Sequence, residues 1–179
     1  SESLRTRDPS ISSKSTLNCG FGCALGGPPL GGLLIGAAEL ADRLGFHAYW
    51  IAEIHCQPRF SLLSAPYVVL GAVAQRTKRM RLGVAVNTLP VHHPVQLAEE
   101  AAMLDLVSNG RMEFAAGGGH PHSRAYECFG ADHKVTHDLM VEALEIIRRA
   151  WSEEILTFDG KFFQIPEVVV NPKPVQRPL

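Results

Sequence analysis

The sequence predicts an α/β protein made of successive strand–helix units with parallel strands. Three observations lead there: an apolar strand, amphipathic helix and apolar strand between Arg76 and Gly119, the recurrence of that pattern along the chain, and a composition suited to a buried core. Met80 to Val86 is a short, mostly apolar run, which Asn87 to Pro94 breaks with two prolines. Pro94 can open a helix, because its missing N–H would find no intrahelical partner there and its φ is preset. Leu97, Ala101 and Leu104 recur at helical spacing, with Val107 a turn further on, and Glu99 and Glu100 suit the positive end of the helix dipole. Asn109-Gly110 is a stop signal, after which Arg111 to Ala116 forms a second strand running into Gly117-Gly118-Gly119-His120-Pro121-His122. Strand, helix and strand at this spacing make a βαβ unit with parallel strands and a right-handed crossover.

The same unit recurs on either side. Leu17 to Leu25 reads as a first strand, Leu33 to Leu44 as a helix stopped by Gly45, and Phe46 to Ala52 as a second strand finishing in Glu53-Ile54-His55. Ser64 to Thr77 is the next helix, with Pro66 tolerated in its first turn. His137 to Trp151 is the clearest helix, with Met140, Leu144, Ile147 and Trp151 in one stripe and Arg148-Arg149 at the negative end of its dipole. Ile155 to Phe158 and Lys161 to Gln164, separated by Asp159-Gly160, predict a tight β-hairpin. The proline-rich tail from Asn171 to Leu179 is extended.

Composition narrows the function classes. The 179 residues are 46% hydrophobic and 20% charged with a formal net charge of −1, enough length for a core and no basic excess of the kind nucleic acid requires. Arg76, Lys78, Arg79 and Arg81 form the one dense basic run, read as a solvated helix-to-strand turn. No apolar stretch is long enough to span a membrane, and Ser1 to Thr16 is polar and Ser-rich, so residues 1–16 read as a disordered leader before a domain at 17–179, with the cytoplasm as the default location.

Cys19, Cys23, Cys56 and Cys128 are too few and too scattered for a disulfide framework, and buried reduced thiols are the expected state. Cys56, beside His55 near a strand end, is the one position where a reactive thiolate is conceivable. Of the eight histidines, His92-His93, His120, His122 and His55 would share one rim, yet Glu53 is the one well-placed carboxylate among these loops, and no metal site is assigned. Gly20-x-Gly22 lacks the third glycine of a dinucleotide fingerprint. In parallel α/β folds ligands bind at the carboxyl ends of the strands, which singles out Glu53-Ile54-His55, Asn87-Thr88 and Gly117-Gly118-Gly119 as a binding mouth. The glycines would let backbone approach a planar ring or a phosphate closely.

Several ordered motifs carry a family resemblance. Trp50-Ile-Ala-Glu-Ile-His55, Arg76-Thr-Lys-Arg-Met-Arg-Leu-Gly83, Leu89-Pro-Val-His-His-Pro94, Ala98-Glu-Glu-Ala-Ala-Met-Leu-Asp105, Ser108-Asn-Gly-Arg111, Ala143 to Trp151, Phe158-Asp-Gly-Lys-Phe162 and Pro172-Lys-Pro-Val-Gln-Arg-Pro178 resemble the bacterial luciferase-like flavin monooxygenases, from roughly Leu33 to Leu179. The resemblance implies a (β/α)8 TIM barrel, of which this chain would supply about four βα units and a hairpin, a half barrel. It implies a monooxygenase acting on a small organic substrate with O2 and reduced FMN supplied by a separate flavin reductase. It also implies that Ala85-Val86 is the family's non-prolyl cis peptide against which the flavin ring rests. Glu53, Asn87, Gly117, Gly118 and Gly119 would then line the pocket, and His55 would be catalytic.

Two positions depart from the family pattern. Ile54 stands where the usual Glu-His-His has its first histidine, and Gly118 stands where an Arg often pairs with the FMN phosphate. Two further readings follow: a deazaflavin-dependent hydride-transfer oxidoreductase of the same fold, or a non-catalytic half barrel that binds flavin or a partner chain. The open edges and apolar inner face of a half barrel predict a homo-oligomer.

Overall fold

Alternation of side chains along neighbouring strands sets the layers of this fold. The computed structural model describes residues 16–19, 30–120, 122–177 and 179. Strands β1 (Thr16–Cys19), β2 (Ala48–Ile51), β3 (Arg81–Thr88) and β4 (Met112–Gly117) form one parallel sheet in that order. Tyr49, Leu82 and Met112 stand in register, as do Ile51, Val84 and Phe114, and these residues pack in the core against the helices. Trp50, Gly83 and Glu113 stand in register on the opposite face. Gly83 is required there, because a Cβ would lie 2.4 Å from the Trp50 ring. Arg81 pairs with Glu113.

Helices follow the strands in turn: α1 (Leu30–Leu44), α2 (Pro66–Arg76), α3 (Pro94–Ser108), the short α4 (Arg124–Phe129) and α5 (Thr136–Ser152). A first core joins α1 and α2 to the sheet through Leu34, Ala38, Leu70 and Val73. A second lies between α3, α5 and the hairpin β5 (Leu156–Asp159) and β6 (Gln164–Val168), built on Leu97, Ala98, Ile146, Ile147, Leu156 and Ile165. Trp151 joins the two, its Nε1 donating to the Ala98 carbonyl at 2.9 Å and its ring edge-on to Phe114 at 5.1 Å.

Three polar side chains fasten the connections. Asp42 on α1 accepts the backbone N–H groups of Lys78, Arg79 and Met80 at 3.1, 3.1 and 2.8 Å, fixing the turn from α2 into β3. Burial alone would raise its pKa, but those N–H donors and the Arg79 charge hold the carboxyl below its ordinary value. Arg111 donates to the carbonyls of Ala74, Thr77, Met80 and Ser108 and so closes the ends of α2 and α3. Asp105, fully buried on α3, accepts from the Val175 and Gln176 N–H groups at 2.7 and 3.0 Å and from Gln176 Nε2 at 2.7 Å, docking the proline-rich tail.

The expected units are present with shifted bounds. The polar stretch 1–15 and the segment 20–29, which holds most of the expected first strand, lie outside the described residues, and Thr16 opens β1. β3 runs on through Asn87 and Thr88, which the sequence places in the break after it, because both remain paired with β4. On α3 Val107 is exposed while Ala98, Ala102 and Asp105 join the buried face. On α5 the buried positions are Ala143, Ile146, Ile147 and Ala150, and Leu144 is exposed. The hairpin turn is longer than two residues, since Glu142 on α5 accepts the N–H groups of Lys161, Phe162 and Phe163 and draws them out of the ladder. The basic run is structural in part: Arg76 pairs with Glu39, Arg79 donates to the Asp42 carbonyl and Arg81 pairs with Glu113. The thiols of Cys56 and Cys128 are exposed and not buried as expected, because Cys56 lies on a loop beyond β2 and Cys128 on the outer side of a short helix.

Replacing Asp105 with alanine strands three donors at a buried position, and the expected loss is about 2–4 kcal/mol in urea-induced unfolding, with a smaller loss for Asp105→Asn, which keeps one acceptor oxygen.

Candidate functional site

Beyond Ile51 the chain leaves the sheet at its carboxyl edge, and the Ile54 N–H donates to the Leu63 carbonyl at 2.8 Å, which holds the Glu53–His55 loop in place. Glu53 is buried beneath that loop, with a side chain only 1% exposed. Its Oε2 accepts the Thr88 N–H at 2.7 Å, and its Oε1 lies 2.6 Å from His92 Nε2. His55 Nε2 is 3.2 Å from the same Oε1, yet it is buried and makes no aligned hydrogen bond, so it is a close contact with a free ring nitrogen. Burial would raise the Glu53 pKa. The hydrogen bond and charge of His92, the Thr88 N–H and His55 outweigh it and hold the carboxyl below its ordinary value of 4.5.

A second polar chain crosses the same strand ends. Tyr67, in the first turn of α2, donates its hydroxyl to Asn87 Oδ1 at 3.0 Å, and Asn87 Nδ2 donates to the Ala115 carbonyl at 2.9 Å. Asn87 is fully buried, so its amide is committed to the protein. Burial, reinforced by the Glu53 charge, pushes the Tyr67 phenol far up, and it remains a neutral donor. The Ala85–Val86 peptide is cis, as the family resemblance implies, and both residues are half-buried.

The three glycines ending β4 are places where other side chains come close. A Cβ on Gly117 would lie 2.6 Å from Val86 Cγ2, one on Gly118 2.7 Å from Thr136 Cγ2, and one on Gly119, whose φ is +72°, 2.8 Å from Thr88 Cγ2. The space on the Cβ side of these glycines is therefore filled from within the chain. A larger residue at 118 requires the Thr136 side chain to turn aside. Tyr126 on α4 also grips this segment, donating to the Gly118 carbonyl and lying 3.0 Å from Thr136 Oγ1.

Helix α4 covers one side of the mouth. Ser123 caps it by accepting the Ala125 N–H, and the Phe129 ring meets His55 edge-on at 4.9 Å. A cleft of about 560 Å³ runs from Glu53, His92 and Phe129 along α2 and α3 past Tyr67, Val68 and Met103. His120 and His122 contact each other at 5.6 Å and His93 contacts Phe163 at 5.8 Å; only His55 and His92 join Glu53. Among the described residues, Glu53, His55 and His92 are the one group whose donor atoms lie within 4.8 Å of one another, a set that could hold a metal. Both Glu53 oxygens already have protein partners, so an ion would have to break the 2.6 Å contact with His92.

The sequence brings Glu53, His55, Asn87, Thr88 and the glycines to one mouth and sets His92 on the same rim, but gives no role to Tyr67, Tyr126 or Phe129. His92 carried a signal in the Leu89-Pro-Val-His-His-Pro94 motif, and Tyr67 carried one only as the residue after a helix-opening proline.

A depressed carboxylate pKa contributes stability above its unfolded value, lost as pH falls through the folded value. The stability advantage of the native chain over Glu53→Gln should therefore be full above about pH 5 and shrink as pH drops below 4.5, checked by urea unfolding of both proteins across this range.

Residues 31–179 match the model of the Luciferase-like monooxygenase family. The oxygenase component of the flavin-dependent trigonelline monooxygenase of Acinetobacter baylyi is 33% identical over 147 residues, 81% of this chain and 40% of that protein. The crystal structure of monooxygenase RslO1 from Streptomyces bottropensis superposes with a TM-score of 0.76 at 34% identity, covering 81% of this chain and 44% of that one. An F420-dependent secondary alcohol dehydrogenase shares the fold at 22% identity, with a TM-score of 0.71 over 83% of this chain and 46% of its own. The chain thus spans less than half the length of these proteins, and its sheet and helices correspond to part of their TIM barrel. The chain belongs to the luciferase-like monooxygenase family.

Proposed function

We propose that this chain is the flavin-holding part of a monooxygenase that oxidises a small organic substrate with O2, using reduced FMN from a separate reductase. The observation that carries this reading is the connected mouth at the carboxyl ends of three adjacent parallel strands, formed by Glu53, the Ala85–Asn87 segment and Gly117–Gly119, in a chain of this family. Reduced flavin would supply the reaction with O2. The chain's own residues would supply position and protons. Ala85 and Val86, half-buried and apolar, give a flat contact for a ring, while Asn87 and Tyr67 hold that surface from behind.

His55 is the proposed proton-transfer residue. Its Nε2 lies 3.2 Å from Glu53 Oε1 and, among the described residues, is the one buried side-chain polar atom that makes no aligned hydrogen bond, so its hydrogen-bonding capacity is not committed to the protein. Ile54 removes the other histidine of the usual motif and leaves that task to His55 alone. Glu53 stays ionised, holds His92 by a hydrogen bond and lies beside His55. Gly118 contributes no cation for the FMN phosphate, and an arginine there requires the Thr136 side chain to turn aside. The apolar residues exposed on α2 and α3, Val68, Met103, Leu106 and Val107, support self-association of the chain.

Titration of the full chain with photoreduced FMN, followed by flavin absorbance and Trp fluorescence, should give saturable binding. Preference for a deazaflavin would replace this reading with hydride transfer, and failure to bind either would leave a non-catalytic half barrel. His55→Gln should leave the thermal midpoint within about 2 °C and lower substrate oxidation by about 100-fold, measured as O2-dependent product with added reductase.

A further inference from the structure

Two exposed thiols lie on adjoining segments beside the proposed mouth. Cys56 follows His55 on the loop beyond β2, and Cys128 lies in the last turn of α4. Contacts on either side hold these segments together: the His55 and Phe129 rings meet at 4.9 Å, and Gln57 Nε2 donates to Ser123 Oγ at 3.1 Å. Cys56 adopts φ +57°, a left-handed conformation rare outside glycine. Cys128 acts on the Cys56 thiol more strongly than any other group and pushes its pKa up.

We propose that Cys56 and Cys128 form a reversible disulfide that pins α4 over His55, making this pair a site of oxidative modification. The inference does not depend on which flavin, if any, the chain binds. Hydrogen peroxide converts one thiol to a sulfenic acid with release of water; the other thiol then displaces its hydroxyl, also as water, and the S–S bond forms. The two sulfurs lose one electron each and the peroxide gains both. A dithiol such as dithiothreitol reverses the step by thiol–disulfide exchange. Because α4 carries Tyr126 on the Gly118 carbonyl and Phe129 on His55, the crosslink would fix both contacts at once.

The test is brief treatment of the full chain with hydrogen peroxide, followed by alkylation, intact-mass measurement, peptide mapping and amide hydrogen exchange. The expected result is a mass lower by about 2 Da, one linked peptide pair containing Cys56 and Cys128, reversal by dithiothreitol, and slower exchange across Arg124–Phe129. Cys56→Ser and Cys128→Ser, both at exposed positions, should fold normally and each abolish the link and the change in exchange. Independent alkylation of the two thiols after peroxide, pairing of either with Cys19 or Cys23, or a crosslink that leaves α4 exchange unchanged would overturn the proposal.

Discussion

A charged carboxylate buried at the end of β2 is the constraint around which this mouth is built. Glu53 has almost no contact with water, so its charge persists only if donors replace the lost solvent. The Thr88 N–H and His92 do so, one on each oxygen, with His55 close by. Each partner ties in another element: Thr88 ends β3 and packs against Gly119, His92 fixes the segment leading into α3, and His55 meets Phe129 of α4. One side chain thereby couples the ends of three strands and two helices.

The glycines after β4 follow from the same arrangement. Val86, Thr88 and Thr136 occupy the space that Cβ atoms at Gly117, Gly119 and Gly118 would need, so the glycine run lets β3 and α5 close onto the strand end. The surface proposed to meet the flavin then comprises the half-buried Ala85 and Val86 and the backbone of the glycine segment. Asn87 and Tyr67 act behind that surface as a hydrogen-bonded support, a division between contact and scaffold that keeps a site rigid.

Local chemistry made much of this legible. Pro94 and Asn109-Gly110 bracket α3 as expected, since a fixed φ and a left-handed stop are properties of single residues. The rule that ligands meet the carboxyl ends of parallel strands selected Glu53, Asn87 and the glycines together. What was hidden depends on contacts distant in sequence: Tyr67 reaches Asn87 over 20 residues, and the Glu53 partners lie 35 and 39 residues away. The hairpin turn was misread for the same reason, because Glu142 on another element pulls it out of register. Short α4 gives too few residues for a periodic signal, although Phe129 and Tyr126 are what close the mouth.

Amide hydrogen exchange of the full chain with and without saturating photoreduced FMN tests this account most directly. Protection should be concentrated at Glu53–His55, Ala85–Thr88 and Gly117–Gly119, the three strand ends joined through Glu53 and the Asn87 chain. Protection absent from those segments, or confined to the outer faces of α2 and α3, would contradict it.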